Sequence, residues 1–269
     1  MLDLLIVGLG WAGAYVREQG RAEGRAVAAT TRDGRDDTIP FAYDASAADL
    51  VDRFKALPDA KTVLVTFPLA DADAVHGFMA AWRADVTTPQ WLYYGSTRAW
   101  STSAGDVAED ATRHTPPNPQ VDPGRIASEQ AWMQTYGGCV VNLAGLWGGA
   151  RQPRRWLEGM LASKDALAAK TGVHLIHGRD VARLTWALTA RYTPGERWLA
   201  TDLHSHDWWH IVAALLPADH VAAAWLQELM DATQTYVLPR PHARWRRVRS
   251  HDLWRHVGLM PSATQPGCE

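Results

Sequence analysis

Residues 1–16 read MLDLLIVGLGWAGAYV. Residues 4–7 are a continuous apolar run, as expected of a strand covered on both faces. The run breaks at Gly8, Gly10 and Gly13, spaced G-x-G-x-x-G, and an Ala-rich helical stretch follows to near Gly20. Strand, tight turn and helix in that order give the glycine spacing its meaning. Gly8 permits the turn, Gly10 lets backbone approach a pyrophosphate, and Gly13 lets the helix pack on the strand. The helix N-terminus adds unpaired N–H donors and the positive end of a dipole, both suited to phosphate. Gly8, Gly10, Trp11, Ala12 and Gly13 are therefore candidate cofactor-binding residues.

Further strands are expected at 26–31, 62–67, 91–94, 139–143, 173–177 and 197–201, with helices at 47–57, 72–82, 125–136 and 180–189. DWWHIVAALL (207–216) and VAAAWLQELM (221–230) read as amphipathic helices. Strands alternating with helices predict an α/β chain with a parallel sheet, helices on both faces and right-handed crossovers. Residues 100–123, rich in Ser, Asp, Pro and Thr, read as a long surface loop.

The end of the second strand discriminates between the nicotinamide cofactors. An acidic residue there binds a ribose 2′-hydroxyl, whereas an arginine accommodates a 2′-phosphate. Thr31 and Arg32 fill that slot, and Asp33 stands one step into the loop. NADP is the expected cofactor, with NAD as the alternative. Phe67 and Pro68, closing the third strand, are placed with the cofactor site.

Length and composition limit the rest. The 269 residues suffice for one large α/β unit or a domain with a smaller lobe. A formal charge of -2 gives bulk electrostatics no reason to favour nucleic acid or a membrane surface, so the basic ARWRRVRS (243–250) reads as a solvated face. Two distant cysteines, Cys139 and Cys268, argue for a reducing compartment rather than a disulfide. Asp3 stands where a signal peptide would be basic, and the expectation is a cytoplasmic protein. The 14 tryptophans read mainly as filling of the core.

Several stretches in order resemble the short-chain dehydrogenase/reductase superfamily, in its extended or atypical, epimerase/dehydratase-like branch. They are VGLGWAG (7–13), YYGST (93–97), EDATRHTPPNP (109–119), RIASEQAW (125–132), LAGLWGGARQP (143–153) and VHLIHGRDVARL (173–184). The resemblance implies a Rossmann-type, doubly wound parallel sheet with a small C-terminal helical substrate lobe. Residues 1–145 would form the dinucleotide-binding core, and 146–269 would interweave the remaining core strands with the lobe. It also implies that Ser96 and Thr97 bind a substrate carbonyl, so both are the candidate catalytic residues.

One departure matters. Enzymes of that superfamily use a Tyr-x-x-x-Lys pair, and the chain has none; Val121 and Arg125 stand at the two positions. Valine transfers no proton, whereas Arg125 can hold a ribose or phosphate without relaying one. Tyr93 and Tyr94 lie inside a strand and are expected to pack. His114 reads as a solvated loop histidine.

His177 and Asp180 are expected to organise a strand–helix junction, with Asp180 capping the helix. His174 and His177, three apart on a strand, face opposite sides and form no metal pair. His204 and His206 precede a helix start, and no cysteine or histidine set has zinc spacing.

Trp147, Arg151 and Trp156, with Arg154 and Arg155 nearby, suggest an acidic or aromatic small-molecule substrate. The leading expectation is an NADP-dependent oxidoreductase acting on a small carbonyl or imine. A sugar epimerase or dehydratase and a non-catalytic NAD(P)-binding sensor or scaffold are the alternatives, and a homodimer is possible for relatives of this kind.

Overall fold

The structure, a computed structural model, describes residues 1–82, 89–100, 110–240, 245 and 247–266. Its first half runs β1 (Leu2–Val7), α1 (Gly10–Ala22), β2 (Val27–Thr31), β3 (Ile39–Pro40), α2 (Leu50–Lys55), β4 (Ala60–Val65), α3 (Ala72–Ala81), β5 (Gln90–Ser96), α4 (Pro123–Gln134) and β6 (Cys139–Leu143). The second half runs β7 (Gly145–Trp147), α5 (Pro153–Met160), α6 (Lys164–Ala168), β8 (Gly172–Val173), β9 (Leu175–His177), α7 (Gly178–Ala190), β10 (Arg197–Ala200), β11 (His206–Asp207), α8 (Trp208–Leu215), α9 (Val221–Ala232) and α10 (His251–Val257).

The central sheet has seven strands in the order β10-β6-β5-β4-β1-β2-β3, all parallel. β1 explains why its sequence is uniformly apolar. Leu4 and Ile6 join one core layer with Val16, Leu184, Trp186 and Trp254, whereas Leu5 and Val7 join the other with Phe54, Phe78, Trp91 and Trp132. Successive side chains of a strand point to opposite faces, and here both faces are covered. α1, α7 and α10 form one layer; α2, α3 and α4 form the other. A side chain at Gly20 would meet the Trp186 ring at 2.3 Å, so this glycine lets α1 and α7 close on each other. The Trp186 indole then donates to the Val16 carbonyl at 2.9 Å.

A third apolar cluster, with Leu157, Leu167, Trp209, Val212 and Leu226, holds α5, α6, α8 and α9 together as a C-terminal lobe. β10, α7 and α10 belong instead to the main sheet and its helices, so the second half of the chain is shared between the two. No helix among the described residues is long and apolar enough to cross a membrane.

Four expectations need correction. Residues 173–177 are not one strand. β8 pairs antiparallel with β11 in the lobe, β9 pairs parallel with β7, and His174 stands at the change of partner. No strand is expected between residues 31 and 47, yet β3 at Ile39–Pro40 adds a seventh strand at the sheet edge, where a proline costs the ladder nothing. Trp100 and Ala111 are not on the surface; they are buried with Ile126 and Leu199, and the Trp100 indole donates to the Thr115 carbonyl at 2.8 Å. Residues 101–109 of that expected loop, and Cys268, lie outside the described residues.

The fourth concerns Asp180. His177 is the N-cap of α7, its Nδ1 accepting from the Arg179 N–H at 3.0 Å. Asp180 is fully buried and instead accepts from the Ser262 and Ala263 N–H groups, the Ser262 hydroxyl and Arg183. It tethers the C-terminal segment to the core.

Candidate functional site

The sheet order reverses beside β1, with β2 on one side and β4 on the other. Loops leaving such neighbouring strands in opposite directions open a crevice at their C-terminal ends. A cleft of about 780 Å³ lies there, lined by the glycine turn, the end of β2 and the loop beyond it, the end of β4, Leu146 of β7 and Arg151 after it.

Its floor is fixed by the sequence read first. Gly8 and Gly10 take φ of +87° and +47°, which side chains rarely adopt. A side chain at Gly8 would also meet the Phe67 ring at 2.8 Å. The turn is tied on both sides: the Gly8 N–H donates to the Thr30 hydroxyl at 2.8 Å, and the Thr66 hydroxyl donates to the Gly8 carbonyl. α1 begins at Gly10, so its free N–H groups open into the cleft beside Trp11 and Ala12. A side chain at Gly13 would stand 3.0 Å from Ile6, in keeping with close helix–strand packing.

At the other end the cleft meets Thr31, Arg32, Arg35, Phe41 and Tyr43. Arg32 makes no hydrogen bond or ion pair among the described residues. The Asp33 carboxylate is turned to Arg35 at 3.0 Å and to the Thr31 hydroxyl at 3.1 Å, and it is not among the lining residues. Among the described residues the lining thus carries three guanidinium groups, from Arg32, Arg35 and Arg151, and no carboxylate. Tyr43 stacks on Phe67 at 5.7 Å between ring centres, giving this end a flat aromatic wall. Arg35, Phe41 and Tyr43 were missed by sequence reasoning. Arg35 lies in a loop whose turn is set by β3 pairing, and 41 and 43 follow that unforeseen strand.

A second cavity, of about 380 Å³, opens at the C-terminal ends of β5 and β6. Ser96, Thr97, Arg98, Trp100, His174 and Trp245 contribute to its wall. A buried network holds the Ser96 strand end from beneath. Both Glu129 oxygens accept from the Asn142 amide at 2.8 Å, Arg197 donates to Glu129 at 3.1 Å, and the same amide donates to the Ser96 carbonyl at 3.2 Å. Burial raises the Glu129 pKa above the ordinary carboxylate value, against the pull of Asn142 and Arg197. A side chain at Gly95 would stand 2.3 Å from Glu129, so the strand needs glycine at that point.

No tyrosine serves this cavity as an acid. Tyr93 and Tyr94 are buried on opposite faces of β5, and burial pushes both hydroxyls above their ordinary pKa. Among the described residues of the wall, His174 and Arg98 are the titratable groups. The His174 Nε2 accepts from the Val248 N–H at 2.9 Å, which leaves the proton on Nδ1. Burial lowers its pKa from 6.5 to about 4, helped by the charge of His206. The unfolded chain takes up this proton near 6.5 and the folded protein near 4. Stabilisation is therefore complete above pH 6.5 and is lost as the pH falls from 6.5 towards 4. We expect ring NMR signals of His174 to remain those of neutral imidazole at pH 5.5, with thermal stability declining across the same window. Titration at the ordinary histidine value would contradict this.

The remaining expected residues scatter. Arg151 lies in the large cleft, not in the smaller cavity. Trp147 is buried edge-on against His177, 4.6 Å between ring centres, and lines neither space. Trp156 packs on the lobe cluster. Arg125 is on α4, its Nε 4.0 Å from Asp122, and is not in the lining of either. His114 is exposed beside Trp198 and Arg255, away from both. His206 bonds Asp202 at 2.7 Å, and Asp207 caps α8. Among the described residues no group of three or more metal-ligating side chains is assembled.

No family matches the chain by sequence, and no curated protein matches it. Solved structures do match its fold along nearly its whole length. Vestitone reductase from alfalfa (Medicago sativa) is 16% identical, with 98% of this chain and 94% of that one covered, at a TM-score of 0.70. The dTDP-glucose 4,6-dehydratase of Bacillus anthracis, solved in complex with NAD, is 10% identical, with coverage of 98% and 93% and a TM-score of 0.66. RMD from Pseudomonas aeruginosa, solved with NADPH, is 16% identical, with coverage of 98% and 94% and a TM-score of 0.64. The chain has the Rossmann-type fold of these three proteins.

Proposed function

We propose that this protein is an NADP-dependent oxidoreductase that transfers hydride to or from a small carbonyl or imine substrate. The observation that carries the reading is the charge of the large cleft: a glycine turn at a helix N-terminus, with three guanidinium groups and no carboxylate among the described lining residues. A ligand with several phosphates fits that chemistry, and its volume of about 780 Å³ suits a dinucleotide. Tyr43 and Phe67 offer a flat wall to the adenine. Arg32, just after β2, and Arg35, in the loop beyond it, take the 2′-phosphate, where an acidic residue would take an unphosphorylated ribose.

When bound, the cofactor supplies or accepts the hydride. The protein positions the reacting carbon and polarises its oxygen. Ser96 and Thr97 stand at the sheet end where the second cavity opens, and their hydroxyls, with the Arg98 cation, face a carbonyl oxygen as charge develops on it. With no tyrosine at hand, the proton on that oxygen exchanges with solvent. The lack of the Tyr-x-x-x-Lys pair also favours a second reading, a nucleotide-binding sensor without turnover; that protein would bind NADPH yet oxidise it with no member of a carbonyl and imine panel.

Quenching of tryptophan fluorescence by NADPH and NADH tests the cofactor assignment on Arg32→Ala and Arg35→Ala. Each charge-assisted contact to phosphate is worth roughly 1.5–3 kcal/mol, so each variant is expected to lose about tenfold or more in NADPH affinity. NADH affinity should hardly change. Equal losses for both nucleotides would remove the two arginines from the 2′-phosphate site.

A further inference from the structure

We infer that Arg151 is a diphosphate clamp, through which the C-terminal lobe holds the same dinucleotide that the glycine turn holds from the core. The inference rests on the nucleotide-binding reading above and deepens it.

Arg151 closes a tight turn. Gly148 and Arg151 exchange both backbone hydrogen bonds at 3.0 Å, with Gly148 and Gly149 at φ of +119° and +52°. The turn is pressed onto α1. A side chain at Gly148 would meet His177 Nε2 at 2.3 Å, and one at Gly149 would meet the Tyr15 hydroxyl at 2.9 Å. Tyr15 is itself one helical turn beyond Trp11, their ring centres 4.8 Å apart. These contacts key the turn against Tyr15 of α1 and His177, the N-cap of α7, and fix where its last residue points.

That residue reaches over the glycine turn. The Arg151 guanidinium lies over the Trp11 ring at 5.1 Å, and Trp11 follows Gly10, where α1 begins. The Arg151 side chain has no carboxylate partner among the described residues, and it borders the cleft. A planar cation without a carboxylate partner among the described residues thus lies over an indole, next to the free N–H groups that receive a diphosphate. Pro153 opens α5 two residues later, and α5 packs into the lobe cluster through Leu157. The same side chain that meets the diphosphate is thereby anchored to the lobe.

The position predicts a signature different from that of Arg32. Every dinucleotide has the diphosphate, whereas only the phosphorylated one has the 2′-phosphate. Calorimetric titration of Arg151→Ala is expected to weaken NADPH and NADH by the same factor, about tenfold, with their ratio unchanged. ADP-ribose should weaken alike, and adenosine 2′-monophosphate should bind as to the unaltered protein. Arg151→Lys, which keeps charge but loses the planar fork, should fall between. Unaltered affinity for both dinucleotides, or a loss confined to NADPH, would overturn the clamp while leaving the nucleotide site standing. Failure of the unaltered protein to bind any of the four would overturn the nucleotide reading and the clamp with it.

Discussion

Valine in place of Gly8 is expected to abolish dinucleotide binding, a loss of more than about 100-fold. Two costs coincide at this position. Its φ of +87° is unfavourable for any residue with a Cβ, and for a branched one most of all. The added carbon would also stand 2.8 Å from the Phe67 ring, which lines the cleft. Relief requires the turn to move, and moving it breaks the bonds to Thr30 and Thr66 that aim the backbone. Strain of this kind costs about 1–3 kcal/mol, and lost phosphate contacts add to it. Fluorescence titration with NADPH measures the effect, with a thermal melt to show that the sheet survives. A Gly8→Val protein that binds NADPH like the unaltered one would separate the glycine turn from the ligand.

The second large effect is one of stability. Asp180→Ala removes a fully buried carboxylate that accepts from two backbone N–H groups, the Ser262 hydroxyl and Arg183. Those donors lose their partner at once, and breaking a buried charged pair costs about 3–5 kcal/mol. For a chain of this size that corresponds to a fall of roughly 6–15 °C in Tm. The C-terminal segment should also become open to limited proteolysis near residue 262. An unchanged melt would mean that the tether contributes nothing.

Much of the fold is legible in local sequence. Residues 4–7 announce a strand covered on both faces, and the glycines after it announce the turn. The alternation of strand and helix predicts a parallel sheet. Where reading fails, the deciding partner is far away in the chain. Nothing at 173–177 reveals that β8 pairs with β11 while β9 pairs with β7, because both partners are set by the tertiary fold. Asp180 has the position of a helix cap, yet its partners stand at 262 and 263. His177, one residue before the helix, takes the cap instead.

The site divides in the same way. Gly8, Gly10, Arg32 and Phe67 follow from strand ends and line one cleft, as a local motif should. Trp147, Arg151 and Trp156 are close in sequence, and a single ligand could be imagined among them. The turn at Gly148–Arg151 sends them to three places: the core, the cleft and the lobe. Tyr43 carries no motif at all, and it reaches the cleft only because β3 pairs with β2.

The most direct test of the central claim is calorimetric titration of the unaltered protein with NADPH and, in parallel, NADH. The account predicts one NADPH site per chain, with NADH at least about tenfold weaker for want of the 2′-phosphate contacts of Arg32 and Arg35. No binding of either nucleotide would leave GLGWAG as a structural turn and contradict the account.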